Sequence, residues 1–145
     1  MLHARRSDKA EALKKVPLFS GLSRRYLDLI ARQTDEVKEE AGTVLAKQGA
    51  LGLEFLLLVE GSARVEKDGT VIAHLGPGDF FGEMSLIDGM PRSASVIAES
   101  PCVLLVIQSR PFRSLLDEVP ELPRKLLVTV CARLRAADAK IASLN

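Results

Sequence analysis

The apolar residues change their spacing twice along this chain, and that change constrains the fold more than any single motif. Up to about residue 34 they recur at helical intervals. Leu27, Ile30 and Ala31 share a face, and Ser23 is placed as an N-cap with Leu22 before it and Leu27 at the fourth helical position, the pattern of a hydrophobic staple. A short charged helical stretch over residues 9–15 precedes this, interrupted at Pro17. From Val37 to about Ile107 the period falls to two. Val44 and Ala46 stand two apart between the polar Thr43 and Lys47, residues 55–59 form a continuous strand of the fully buried kind ending at Gly61, and Ala63 and Val65 face opposite to Arg64 and Glu66. Val71, Ala73 and Leu75 repeat the alternation after Asp68-Gly69, a dipeptide that marks a two-residue hairpin turn. Two last strands, residues 93–98 and 102–107, flank a turn at Ser100-Pro101.

Strands this short, punctuated by glycine and framed by helices, predict an α+β, mainly β fold: a double-sheet jelly roll flanked by N-terminal helices and two C-terminal helices. The expected organisation is one domain over residues 1–145, with a helical segment at about 9–34, a β-roll at about 36–108 and C-terminal helices at about 110–142. Ser109 is an N-cap candidate for the first C-terminal helix, which stops near Pro120. Pro123 sits near the start of the last, where its missing N–H costs least. Leu126, Leu127, Val130, Cys131 and Leu134 make one apolar stripe on that helix, so Cys131, like Cys102 in its strand, reads as a small core residue.

Charge and composition exclude several classes. Twenty Lys and Arg against nineteen Asp and Glu leave a net charge of +1, with no overall pull toward nucleic acid or anionic lipid. Residues 1–15 and 121–145 each hold five basic and two acidic residues, too little for a nucleic-acid footprint, and about ten residues remain after Arg135 where a helix-turn-helix would have to follow. DNA binding by this chain alone is not expected. The longest apolar run, residues 102–107, is far short of the ~20 residues of a spanning helix. The cysteine usage and the missing apolar core of a secretory signal fit a cytoplasmic setting. GxSxG, Walker A and HExxH motifs are absent, and the two histidines, His3 and His74, are far apart, so a cupin-type metal enzyme on the same scaffold is the weaker rival and no enzyme is expected. His74 reads as an ordinary strand residue.

One segment exceeds what a jelly roll needs for a turn: Gly76-Pro77-Gly78-Asp79-Phe80-Phe81-Gly82-Glu83-Met84-Ser85-Leu86, followed by Pro91-Arg92-Ser93-Ala94-Ser95-Val96. Were Glu83 to Leu86 one helical turn, Gly82 would let the backbone approach a ligand and the free N–H groups of the turn would face an anion. Arg92 offers a guanidinium fork to the same anion, Ser93 adds a hydroxyl and an N–H, and Glu83, itself negative, suits a sugar hydroxyl nearby. That set fits a cyclic ribose phosphate. The bland alternative pairs Glu83 with Arg92 in a ligand-free structural or interaction domain of the same fold.

The run Phe81-Gly82-Glu83-Met84-Ser85-Leu86 with Pro91-Arg92-Ser93-Ala94-Ser95-Val96 resembles the phosphate-binding cassette, here residues 81–96, of cyclic-nucleotide-binding domains. That family includes protein kinase A regulatory subunits, cyclic-nucleotide-gated channels and the bacterial catabolite activator. Val16-Pro17-Leu18-Phe19-Ser20-Gly21-Leu22 resembles the family's opening helix and turn, and Leu58-Val59-Glu60-Gly61-Ser62 its central strand. The resemblance implies that Glu83 binds the ribose 2′-hydroxyl and Arg92 the cyclic phosphate. Main-chain amides of Gly82, Ser85 and Ser93 complete a cradle that also includes Met84 and Ala94. It further implies that Val65 lines the base pocket, that the last helix folds over the base as a lid, and that Arg133 contacts the base. Serine at position 93 favours cAMP and also admits cGMP. No cofactor is implied. The partner beyond the nucleotide is an unknown effector protein or a second copy through the last helix. The turn Gln48-Gly49-Ala50-Leu51-Gly52 departs from the family in lacking the usual acidic residue after its first glycine.

Overall fold

The structure, a computed structural model, describes residues 6–144. His3 and Arg5 lie outside them. Among the described residues the elements follow the order α1 (Arg6–Lys14), α2 (Arg24–Arg32), β1 (Asp35–Glu39), β2 (Val44–Ala46), β3 (Glu54–Glu60), β4 (Ala63–Lys67), β5 (Thr70–Leu75), β6 (Phe80–Phe81), α3 (Glu83–Asp88), β7 (Ser95–Ala98), β8 (Cys102–Gln108), α4 (Ser109–Glu118) and α5 (Leu122–Ser143). The strands form two antiparallel four-stranded sheets, ordered β1-β8-β3-β6 and β2-β7-β4-β5. The mainly β double-sheet roll with flanking helices expected from the spacing is what forms.

The continuous apolar runs of β3 and β8 have a physical cause. Leu56 and Leu58 of β3, with Leu104 and Val106 of β8, point between the sheets and pack with Ala63, Phe81, Val96 and Ala98. Phe55 and Leu57, with Leu105 and Ile107, point the other way, into a second cluster built with Leu13, Phe19, Ile30, Phe112 and Leu122 from the helices. A sheet covered on both faces cannot alternate apolar with polar residues. Phe55 stacks between Phe80 and Phe112, with ring centroids 5.3 and 4.8 Å apart, so the entrance to the cassette is anchored to α4 through aromatic contact.

Local signals hold in detail. Ser23 Oγ accepts the Tyr26 N–H at 3.3 Å, and Leu22 and Leu27 are both buried in the helical cluster. Asp68 (φ 53°) and Gly69 (φ 79°) make the β4–β5 hairpin turn between the paired residues Lys67 and Thr70.

Three expectations need correction. Ser109 is not a cap: α4 begins at Ser109 itself and its N-cap position is Gln108, with no side-chain capping bond. Val71 and Ala73 are exposed rather than core, because β5 is an edge strand paired with β4 alone; its apolar residues Ile72, Ala73 and Leu75 border a cavity instead of a packed interior. The stripe on α5 splits: Leu126 is buried, but Leu127 and Leu134 are about 60% exposed (62% and 61%) and Cys131 is exposed. Beyond Leu126 the helix leaves the helical cluster, so its apolar residues have no core to enter. Lys9, one of the five basic residues of the first fifteen, donates to the Thr34 carbonyl at 2.6 Å and ties α1 to the start of β1.

Gly61 shows how tightly the roll closes. Its backbone is left-handed (φ 95°) and a Cβ there would lie 2.4 Å from the Pro101 carbonyl oxygen. Gly69 has a similar φ of 79° but open space around it. Both alanine variants carry the conformational cost of about 1–3 kcal/mol, and Gly61→Ala adds a main-chain clash. Urea unfolding will therefore show a larger loss for Gly61→Ala than for Gly69→Ala; equal losses would mean that the β3–β4 turn yields freely.

Candidate ligand-binding site

The cassette starts with a close approach that only glycine permits. Gly82 caps α3 in the left-handed region (φ 93°), and a Cβ there would stand 2.5 Å from the Glu54 carbonyl oxygen and 2.9 Å from Arg92 Nη1. Glu83, the first residue of α3, is 3% exposed. Its Oε1 accepts a hydrogen bond from Arg133 Nη1 at 2.6 Å across fifty residues of sequence. Arg133 also donates to the Phe80 carbonyl and lies over the Phe80 ring, 4.1 Å from its centroid.

Arg92 is held from the other side. Its main-chain N–H donates to the Ala50 carbonyl, and its carbonyl accepts from the Gly49 N–H, both at 2.8 Å. Its Nη2 donates to the Glu54 carbonyl at 3.3 Å. Burial pulls the Arg92 pKa down, and the carboxylates of Glu54 and Glu83 push it back; a guanidinium so placed stays charged at any working pH. The bland pairing of Glu83 with Arg92 is not what forms, since Glu83 takes Arg133.

These groups border one cavity of about 610 Å³, a size suited to a small ligand. Every residue nominated from the sequence lies on it. Gly82, Glu83, Met84, Ser85, Arg92, Ser93 and Ala94 come from the cassette, Val65 from β4 and Arg133 from α5. Val65 is brought there by register, paired with Val96 on β7 and Ala73 on β5. Arg133 faces the cavity from α5.

Sequence reasoning missed four contributors. Phe80 supplies the ring and carbonyl that hold Arg133. Glu54 supplies the carbonyl that holds Arg92. Gly52 is buried beside the Arg92 guanidinium. Lys140 lines the cavity and donates to the Ile72 carbonyl at 3.2 Å, so α5 is tied to the roll at two points. Lys140 was within reach of a helical reading: Arg133, Ala136, Ala137 and Lys140 follow i, i+3, i+4, i+7 spacing, and all four border the cavity. The hydrogen bond from Glu54 to Arg92 is made by its main-chain carbonyl, which no residue pattern reveals.

Residues 36–119 match the sequence model of the cyclic nucleotide-binding domain. The chain belongs to the cyclic nucleotide-binding domain family. It is 39% identical over 122 residues to a cyclic nucleotide-gated potassium channel of Mesorhizobium japonicum, covering 84% of this chain and 34% of the channel. It is 32% identical over 138 residues to the cyclic AMP receptor protein of Thermus thermophilus, covering 92% of this chain and 64% of that protein. The chain thus spans a third to just under two thirds of these relatives. Its fold superposes on a crystal structure of a cyclic nucleotide-binding domain from Methylobacillus flagellatus with a TM-score of 0.81 at 30% identity, covering 97% of this chain and 84% of that one. Among the described residues no cluster of three or more His, Cys, Asp or Glu could hold a metal ion, and no helix is long and apolar enough to cross a membrane.

The electrostatics of Glu83 give a titration with a defined sign. Burial pushes its carboxyl above the ordinary value of 4.5, and the opposing pull of Arg133 does not cancel that push. A carboxyl that takes up its proton more readily in the folded chain loses stabilising effect as pH rises from its unfolded value through its folded one. The stability of wild type relative to Glu83→Gln should therefore decline as pH climbs above about 4.5 and then level off. Carbon-13 NMR of the Glu83 carboxyl should show a raised midpoint, moving higher still in Arg133→Ala. A midpoint below 4.5 would mean that pairing outweighs burial.

Proposed function

We propose that this chain binds a cyclic purine nucleotide, cAMP in preference to cGMP, and acts as a regulatory binding module rather than an enzyme. The observation that carries the reading is that a buried carboxylate and a cationic guanidinium, Glu83 and Arg92, border the same cavity without satisfying each other. Arg92 spends one side-chain hydrogen bond on the Glu54 carbonyl and keeps further N–H donors for an anion. A single negative phosphate meets that guanidinium, with main-chain N–H groups of Gly82, Ser85 and Ser93 beside it. The ribose 2′-hydroxyl donates to Glu83, and Met84 and Ala94 fill the cradle around them. Membership of the cyclic nucleotide-binding family supports this assignment, as does the name of the cyclic AMP receptor relative.

The base goes to the apolar part of the cavity, against Val65, with Arg133 beside it. In the family pattern, serine at position 93 goes with cAMP and admits cGMP more weakly. Arg133 already holds Glu83 and Phe80, so a ribose hydroxyl must share the Glu83 carboxylate with it or take one of its oxygens. That competition links occupancy of the site to the position of α5. A ligand with differential affinity for two positions of the helix shifts it by that difference and no more. The receiving partner, an effector protein or a second copy, would read the helix from a cytoplasmic setting.

Titration calorimetry tests the reading. Wild type should bind cAMP with submillimolar or tighter affinity and cGMP more weakly. Arg92→Ala removes the cation that meets a buried phosphate, a loss of ~2–5 kcal/mol, or at least tenfold in affinity. Equal affinities in wild type and Arg92→Ala would remove Arg92 from the phosphate site. No binding of either nucleotide by wild type would return the chain to a structural role.

A further inference from the structure

A guanidinium on a flexible stem binds an anion more tightly when its direction is set before the ligand arrives. What sets the direction of Arg92 is legible in the packing around it. Its backbone is tied to the turn before β3 by the paired bonds to Gly49 and Ala50, and Nη2 is tied to the Glu54 carbonyl. Gly52, two residues before Glu54, is buried. A Cβ at position 52 would stand 2.5 Å from Ser85 Cβ, 3.0 Å from Ser85 Oγ and 3.2 Å from Arg92 Cζ.

Unlike Gly82, Gly52 does not adopt a left-handed backbone, so its φ makes no demand for glycine. Glycine is required there for space alone. Ser85 Cβ is fixed to the backbone of α3 and cannot swing aside as a long side chain does. A methyl group at position 52 must therefore push α3 away, turn the guanidinium, or both. A Cβ at Gly82 would likewise reach Arg92 Nη1 at 2.9 Å, so two positions beside the guanidinium exclude a side chain.

We infer, granting the cyclic nucleotide reading above, that Gly52 is a positioning residue for the phosphate. Its missing side chain lets Ser85 and the Arg92 guanidinium close on one another, so that the arginine is aimed before a ligand binds. Gly52 touches no ligand; it acts through Arg92 and Ser85.

The test uses wild type, Gly52→Ala, Ser85→Gly and the double variant, with urea unfolding to establish that each is folded. Nitrogen-15 relaxation of the Arg92 Nε–H, without any nucleotide, should show a more mobile guanidinium in Gly52→Ala than in wild type. Calorimetry with cAMP should show a loss of about tenfold or more in Gly52→Ala. Removing the Ser85 side chain relieves the closest clash, so the double variant should bind more tightly than Gly52→Ala, although Ser85→Gly alone binds no better than wild type. If Gly52→Ala fails to fold, a folded double variant with an ordered Arg92 supports the inference, and one with a mobile Arg92 overturns it. Unchanged Arg92 mobility and unchanged cAMP affinity in folded Gly52→Ala overturn it, as does a loss that Ser85→Gly does not relieve. Failure of wild type to bind cAMP defeats the nucleotide reading; the relaxation comparison then still decides whether Gly52 orders Arg92.

Discussion

The burial of β3 and β8 on both faces is the constraint from which the architecture follows. Each strand sends alternate residues into two separate interiors, Leu56 and Leu58 between the sheets, Phe55 and Leu57 beneath the helices. Neither interior can be left uncovered without exposing large side chains whose truncation in a core costs ~2–5 kcal/mol each. The second sheet covers one face and α1, α2, α4 and the start of α5 cover the other. Closure is incomplete at β5, which pairs with β4 alone and has α5 above its apolar residues instead of another strand. The cavity is the space left there.

Within that space the electrostatics are asymmetric. Arg92, Arg133 and Lys140 border the cavity with one buried carboxylate, Glu83. Arg133 answers Glu83 and stacks on Phe80, Lys140 is spent on the Ile72 carbonyl, and Arg92 gives a single side-chain bond to a neutral carbonyl. Arg92 feels the Glu54 and Glu83 carboxylates but its side-chain hydrogen bond goes to a neutral carbonyl, which leaves it less well compensated than a direct ion pair. The same arrangement explains the position of α5. After Leu126 it has no apolar core beneath it, and the two contacts that hold it near the roll, at Arg133 and Lys140, are both polar and both at the cavity.

Much of this was legible before any coordinates. The period change at residue 37, the Asp68-Gly69 turn and the Ser23 cap are local signals with local causes, and they survived folding. The cassette residues were legible as a set because chemistry and family resemblance converged on them. The failures are equally specific. Ser109 has the right chemistry for a cap but falls one residue inside the helix, since β8 runs on to Gln108. Cys131, Leu127 and Leu134 have helical spacing, yet spacing cannot say where the core beneath a helix ends. Glu54 and Gly52 were invisible because one bonds Arg92 through its main-chain carbonyl and the other makes room by an absent side chain. Both depend on which segments fold against each other across the roll.

The central claim is that the phosphate of a cyclic nucleotide takes the free side of the Arg92 guanidinium while its ribose takes Glu83. A crystal structure of the chain with cAMP tests this most directly. It should show an exocyclic phosphate oxygen within hydrogen-bonding distance of Arg92, the 2′-hydroxyl on Glu83, and the base between Val65 and α5. A cavity left vacant at saturating cAMP, or a nucleotide whose phosphate points away from Arg92, would contradict it.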